Sequence, residues 1–229
     1  MKNLNKYLFE NLGDKDIKTI SYNYHPKDRD ELRSLIEKLL KERGQDADLN
    51  DIDVSNITDM HGLFTDLDIH NIDISKWDVS KVTNMYNMFY DCINFNSDLS
   101  NWDVSNVTNM GWMFADCKKF NSDISKWDVS KVTDTQFMFH NCENFNSDIS
   151  KWDVSKVIEM NRMFYYCENF NSDLSNWDVS KVKYMAWMFG YCKKFNSDLS
   201  NWDISNVISM NQMFSRCDSL KNKPSWYNA

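Results

Sequence analysis

The sequence predicts an α/β repeat fold, in which about seven 25-residue coils wind into a solenoid behind a small N-terminal cap. Three observations predict it. Trp77, Trp102, Trp127, Trp152, Trp177 and Trp202 stand 25 residues apart, and an Asp and then Val or Ile follow each of them. Val82 to Val207, Met88 to Met213 and Phe89 to Phe214 keep the same step. Within one unit the apolar residues recur at spacings of two and three, which suits short elements that bury one side against a neighbouring copy.

Residues 1–46 precede the repeats. Leu4, Tyr7, Leu8 and Leu12 follow a helical period that stops at Gly13, and Ile20, Tyr22 and Tyr24 alternate as a short strand does. Leu32, Leu35, Ile36, Leu39 and Leu40 make one apolar stripe, begun after Pro26 and stopped by Gly44. The first coil of a repeat array exposes its core, so this amphipathic helix is expected to cap it. A separate partner-binding or catalytic domain is the alternative for this segment, although it is short and holds no catalytic constellation.

The repeats occupy residues 47–223. The first copy is degenerate, with Leu49, Ile52, Val54, Ile57, Met60, Leu63 and Phe64 in register with the later ones. In a full unit the pattern is Leu99-x-x-Trp102-x-Val104-x-x-Val107-x-x-Met110-x-x-Met113-Phe114-x-x-Cys117-x-x-Phe120. Trp102 and Val104 lie two apart, so on a strand they share one side while Asp103 takes the other. The later spacing of three suits a short turn of 3₁₀ or α-helix, and Asn121-Ser122-Asp123 supplies turn chemistry. One strand and one helical turn per unit is leucine-rich-repeat geometry. The tryptophans are therefore expected to be a buried ladder rather than an exposed stacking platform. Residues 224–229 begin a further turn, with Trp226 or Tyr227 expected to cover the last coil.

The run "WDVSNVTNM", followed by "MF", a cysteine and "FNSD", resembles a known family. It is similar to the bacterial surface repeats of the BspA and Treponema type, and especially to Mycoplasma lipoprotein repeats. That resemblance covers about three quarters of the chain. It implies a right-handed β-solenoid with a concave strand face, a role in adhesion or protein binding, and no enzymatic site. The best-known members are exported or lipid-anchored. Here the start, "MKNLNKYLFENLG", has no apolar core of secretory type, no cleavage site and no cysteine for lipidation, so a cytoplasmic location is expected, with the cell surface as the alternative.

Composition narrows the partners. The net charge of −8 argues against nucleic acid or an anionic membrane, and no apolar run is long enough to span a bilayer. Cys92, Cys117, Cys142, Cys167, Cys192 and Cys217 share one repeat position, where the first copy has Leu67. A site that accepts leucine is apolar, so buried free thiols are expected; disulfides between coils are the alternative, and no metal-ligand spacing occurs. Asp78 to Asp203 and Asp73 to Asp198 form two carboxylate columns. Like charges ~5 Å apart repel by ~3 kcal/mol at an effective dielectric of 20, so the columns must be solvated, bonded to turn amides or neutralised by lysines such as Lys81 and Lys131. Calcium between coils is the sharper alternative, without the glycines of calcium-binding nonapeptide repeats.

Nothing in the sequence assembles a catalytic site: the four histidines sit in unrelated contexts, and no phosphate loop, nucleophile elbow or HExxH pair occurs. No cofactor is expected. What differs between copies is more informative. The pairs between the two methionine positions and after the phenylalanine are released from the repeat, yet they carry Tyr86, Tyr90, Trp112, Phe137, Tyr165, Tyr166, Trp187 and Tyr191. Tyr and Trp are enriched at binding hot spots. These eight residues are the expected contact surface for a protein partner of a monomeric, non-enzymatic interaction module. A surface adhesin that binds host matrix protein or carbohydrate is the alternative.

Overall fold

The computed structural model describes residues 22–227. The expected helix on Leu4, Tyr7, Leu8 and Leu12 lies outside these residues, as does Ile20 of the expected short strand. Tyr24, from the same stretch, makes one isolated parallel bridge to Ile52.

α1 (Arg29–Arg43) is the helix that the apolar stripe predicted. Asp28 caps its start by accepting the amides of Asp30 and Glu31, and Gly44, at φ 85°, closes its end with its N–H donating to the Leu40 carbonyl. Leu32, Ile36 and Leu39 are buried and share one hydrophobic core with the repeats.

The repeats depart from the expected fold. Among the described residues α1 is the only regular element, and there is neither a β-strand nor a sheet. The leucine-rich-repeat β-solenoid with a concave strand face is thereby corrected: the units are joined by single parallel bridges, Asp59 to Asn84, Asn84 to Asn109 and onward to Ser209. The physical reason lies in the spacing of three. Leu99 to Trp102, Val104 to Val107, Met110 to Met113, Phe114 to Cys117 and Cys117 to Phe120 are each closed by a bond from the fourth amide to the first carbonyl. Each unit is a succession of β-turns whose first and fourth residues are apolar and buried. Trp102 and Val104 do share the inner side, with Asp103 outside, but in extended residues between turns, too few to build a ladder.

Main-chain bonds tie the units together in both directions: the amides of Thr108 and Lys119 donate back to Thr83 and Ile93, whereas along the edge that precedes the cysteine the bonds run forward. The amides of Met110, Trp112, Phe114 and Asp116 donate to the carbonyls of Asp134, Gln136, Met138 and His140 in the next unit, at 2.8–3.0 Å. Of the intervening amides, those of Met113 and Ala115 close turns and that of Gly111 donates to the Asn109 side chain. Along this edge every second peptide therefore points its N–H toward the C-terminal end, and its dipoles line up as they do in a helix. At the first unit the carbonyls of His61, Leu63 and Thr65 are left over and face α1, beside that of Gly62, which already accepts the Thr65 amide. Arg29 donates to the His61 carbonyl at 2.9 Å, and Arg33 donates to those of Gly62, Leu63 and Thr65 at 3.0–3.1 Å. Two cations thus close the negative end of the dipole columns. At the far end the amides of Met210, Gln212, Phe214 and Arg216 have no acceptor among the described residues, and the Tyr227 hydroxyl lies by those of Met213 and Phe214.

Inside, the tryptophans form the expected buried ladder. Trp77 to Trp202 are each 4% exposed, and each indole N–H donates to a carbonyl of the preceding unit, as Trp127 does to Leu99 at 3.0 Å. Trp226 takes the next rung, stacked 6.5 Å from Trp202, with Tyr227 edge-on to Phe214. Phe89, Phe114, Phe139, Phe164, Phe189 and Phe214 stack at 5.5–5.7 Å beside them. The six cysteines are free and buried, and each thiol donates to a phenylalanine carbonyl one unit back, as Cys142 does to Phe114 at 2.9 Å. Burial raises their pKa values, for Cys92 to about 12, so the thiols stay protonated and unreactive.

Candidate interaction surface

The variable positions fall on the two turns that precede the cysteine. In Met110-Gly111-Trp112-Met113 and Phe114-Ala115-Asp116-Cys117 the outer residues are core; of the middle two, Trp112 and Asp116 are half-buried at the surface, while the small Gly111 and Ala115 are covered. The third residue of each turn has positive φ in every unit, from Asn87 at 57° to Gln212 at 57° and from Asp66 at 60° to Arg216 at 58°. This is the position of a type II turn that favours Gly or Asn. The first unit uses Gly62 there, at φ 57°. Later units place Trp112, Phe137, Arg162, Trp187, Tyr166 and Tyr191 in the same left-handed conformation, at φ 52–63°. A left-handed L-residue costs roughly 1–2 kcal/mol.

The structure brings seven of the eight expected residues into one continuous set of half-buried rings. Tyr90 meets Trp112 edge-on at 5.8 Å, and Trp112 stacks on Phe137 at 4.0 Å and 9°. His140 links Phe137 to Tyr165, at 5.6 and 5.3 Å. Tyr165 then meets Tyr166, Trp187 and Tyr191 edge-on, and Tyr166 stacks on Tyr191 at 4.3 Å. Tyr86 stands apart from this ring chain and lies over Gly111, where an added Cβ would come within 3.2 Å of its ring. Tyr165 covers Gly190 more tightly, at 2.8 Å from such a Cβ. Small residues in one unit thus seat the rings of the unit before.

Sequence reasoning passed over two members of this surface. The guanidinium of Arg162 lies 5.3 Å from the ring centre of Phe137 and 5.7 Å from that of Tyr165. His140 sits among Trp112, Phe137 and Tyr165, and burial holds its pKa below the ordinary imidazole value, against the pull of Asp116 and with the push of Arg162. Both occupy variable positions, which was the available signal. The carboxylate columns resolve differently. Asp73 and Asp128, like others of their columns, accept the amide and hydroxyl of the serine two residues on. For Asp128 those bonds come before the lysines in holding its pKa below the usual carboxylate range.

Stacked turn units, a shared aromatic core and a ring-lined outer edge define a repeat protein with one chemically distinct ridge. The chain belongs to the family described as Mycoplasma protein of unknown function, DUF285, whose model matches residues 33–148 and 122–227. No curated protein and no solved structure matches it. The Mycoplasma side of the sequence resemblance is thereby supported, whereas neither this match nor the turn-built backbone supports repeats of the BspA and Treponema type. No helix among the described residues is long and apolar enough to cross a membrane.

Proposed function

We propose that this protein is a non-enzymatic interaction module whose ridge of Tyr86, Tyr90, Trp112, Phe137, Tyr165, Tyr166, Trp187 and Tyr191 docks a protein partner. One observation carries the reading: bulky aromatic side chains occupy third-turn positions of positive φ, where Gly or Asn would relieve the backbone. Strain that persists against an available relief points to function. The rings are half-buried and touch one another, so they are pre-ordered and lose little freedom on binding. Because their identity changes from unit to unit, they can encode one partner, which the constant aspartates cannot.

The test uses the full chain immobilised beside a triple variant, Trp112→Ala, Tyr166→Ala and Trp187→Ala. A partner retained by the native chain should be lost by the variant, with about 2 kcal/mol or more lost per hot-spot residue. Equal retention by both, with the variant still folded, would remove the ridge from recognition.

A further inference from the structure

The ridge is not uniform along its length. Its second-turn third positions read Asp66, Asp91, Asp116, Asn141, Tyr166, Tyr191 and Arg216, from acidic through aromatic to basic. The carboxylates of the other two columns cap serine amides, as in Asp78, Asp103 and Asp123. Those of Asp66 and Asp91 accept no hydrogen bond and meet no cation among the described residues, and both are exposed. Asp116 takes the Asn141 amide at 2.7 Å and approaches the His140 ring no closer than 3.9 Å. Partial desolvation by the neighbouring turns, then repulsion from Asp116 and Asp66, holds the exposed Asp91 carboxyl above its usual value. The Tyr90 hydroxyl is raised by burial and then by Asp116, Asp91 and Asp66, so this ring lies in the field of all three.

The same ridge shows what such rings hold. Three units beyond Tyr90, Arg162 seats its guanidinium over Phe137 and Tyr165. Tyr90 and Trp112 offer rings of the same kind, with no cation over either among the described residues and with three carboxylates at their margin. A guanidinium stacks flat on an aromatic face and pairs with carboxylate at its edge, which a lysine ammonium does less well. We propose that the Tyr90–Trp112 end of the ridge receives an arginine side chain from a basic segment of the protein partner, stacked on the rings and paired with Asp91 and its neighbours Asp66 and Asp116. This rests on the docking function proposed above and names the chemistry of the partner. The acidic-to-basic order of the ridge also fixes the direction in which that segment lies, its arginine toward α1.

The probe is a hexa-arginine peptide titrated into the full chain by calorimetry at about 150 mM salt, where long-range attraction between exposed charges is screened. Saturable one-to-one binding is expected. Asp66→Asn with Asp91→Asn, and separately Trp112→Ala, should each weaken it about five-fold or more. The control pair Asp173→Asn with Asp198→Asn, on a serine-capping column, should change it by less than about two-fold, although it removes the same charge. Equal weakening by both aspartate pairs would reduce the effect to net charge and overturn the proposal, as would hexa-arginine that ignores Trp112→Ala or binding of hexaglutamate in its place. If the triple aromatic variant loses the native partner while hexa-arginine is indifferent to the ridge, docking stands and the arginine assignment falls.

Discussion

The first and fourth positions of each turn and the two positions between them share a backbone but not a rule. The outer pair, such as Met110 with Met113 or Phe114 with Cys117, largely repeats its residue types, with Thr135 and, in the first unit, Leu63 and Leu67 as exceptions, and it is buried in the internal units. The inner pair changes at every step: Gly111-Trp112, Gln136-Phe137, Asn161-Arg162, Ala186-Trp187. The difference teaches how a repeat can vary without unfolding. Both ends of each turn are pinned in the core and its peptides bonded to the adjoining units, so the left-handed residue in between is held in place whatever its side chain. Interior positions supply stability, and the ridge draws on it.

The comparison breaks first, and hardest, in the interior. Trp127→Ala is expected to lower stability by about 3–5 kcal/mol in a denaturant titration, since it empties a buried ring site and removes one of the two donors on the Leu99 carbonyl, leaving only the Trp102 amide. A loss below about 1 kcal/mol would mean that the ladder is not what holds the units. Next comes the helix-side end. Arg33→Ala strips donors from the carbonyls of Gly62, Leu63 and Thr65 and should cost roughly 1–3 kcal/mol. Hydrogen exchange should then speed up in the first units and remain slow in the middle ones.

The smallest effect has the opposite sign and sharpens the contrast. Gln212 is exposed, holds φ 57° and carries no ring to stack, so Gln212→Gly should raise stability by about 0.5–1 kcal/mol: relief of the left-handed conformation outweighs the added chain entropy. Trp112→Gly relieves the same conformation but removes the 4.0 Å stack on Phe137, worth roughly 0.5–1.5 kcal/mol, and should show no such gain. Equal gains at the two sites would mean that ring packing contributes nothing to the ridge.

Much of this was legible before the structure. The period, the buried side shared by Trp102 and Val104, the apolar cysteine site, the stripe of α1 and the closing role of Trp226 with Tyr227 followed from spacing and residue type. The proximity of the variable aromatics followed from their register. The secondary structure did not. Two apart is the mark of a strand, but it is equally met by two extended residues between turns, and three apart fits a 3₁₀ turn and a β-turn alike. What separates them is where each amide donates, and Met110, Trp112, Phe114 and Asp116 all donate in one direction, which no side-chain pattern encodes. The left-handed positions left a faint trace. Gly62, Asn87, Asp66, Asp91, Asp116 and Asn141 are residue types that tolerate positive φ, and their register mates Trp112, Phe137, Tyr166 and Tyr191 inherit it.

The repeated main-chain bonding described for the units has an evolutionary corollary. Each internal unit accepts on one side the same set of amides that it offers on the other, so the backbone of one internal copy matches that of another. Duplication or loss of a whole 25-residue segment of coding sequence would leave both terminal closures, Arg33 at one and Trp226 with Tyr227 at the other, facing surfaces they already fit. Length is therefore a heritable variable that can change in whole steps without a search for new contacts. Each added step would bring further variable side chains to the ridge, so such a lineage can lengthen its reading frame for partners and rewrite it.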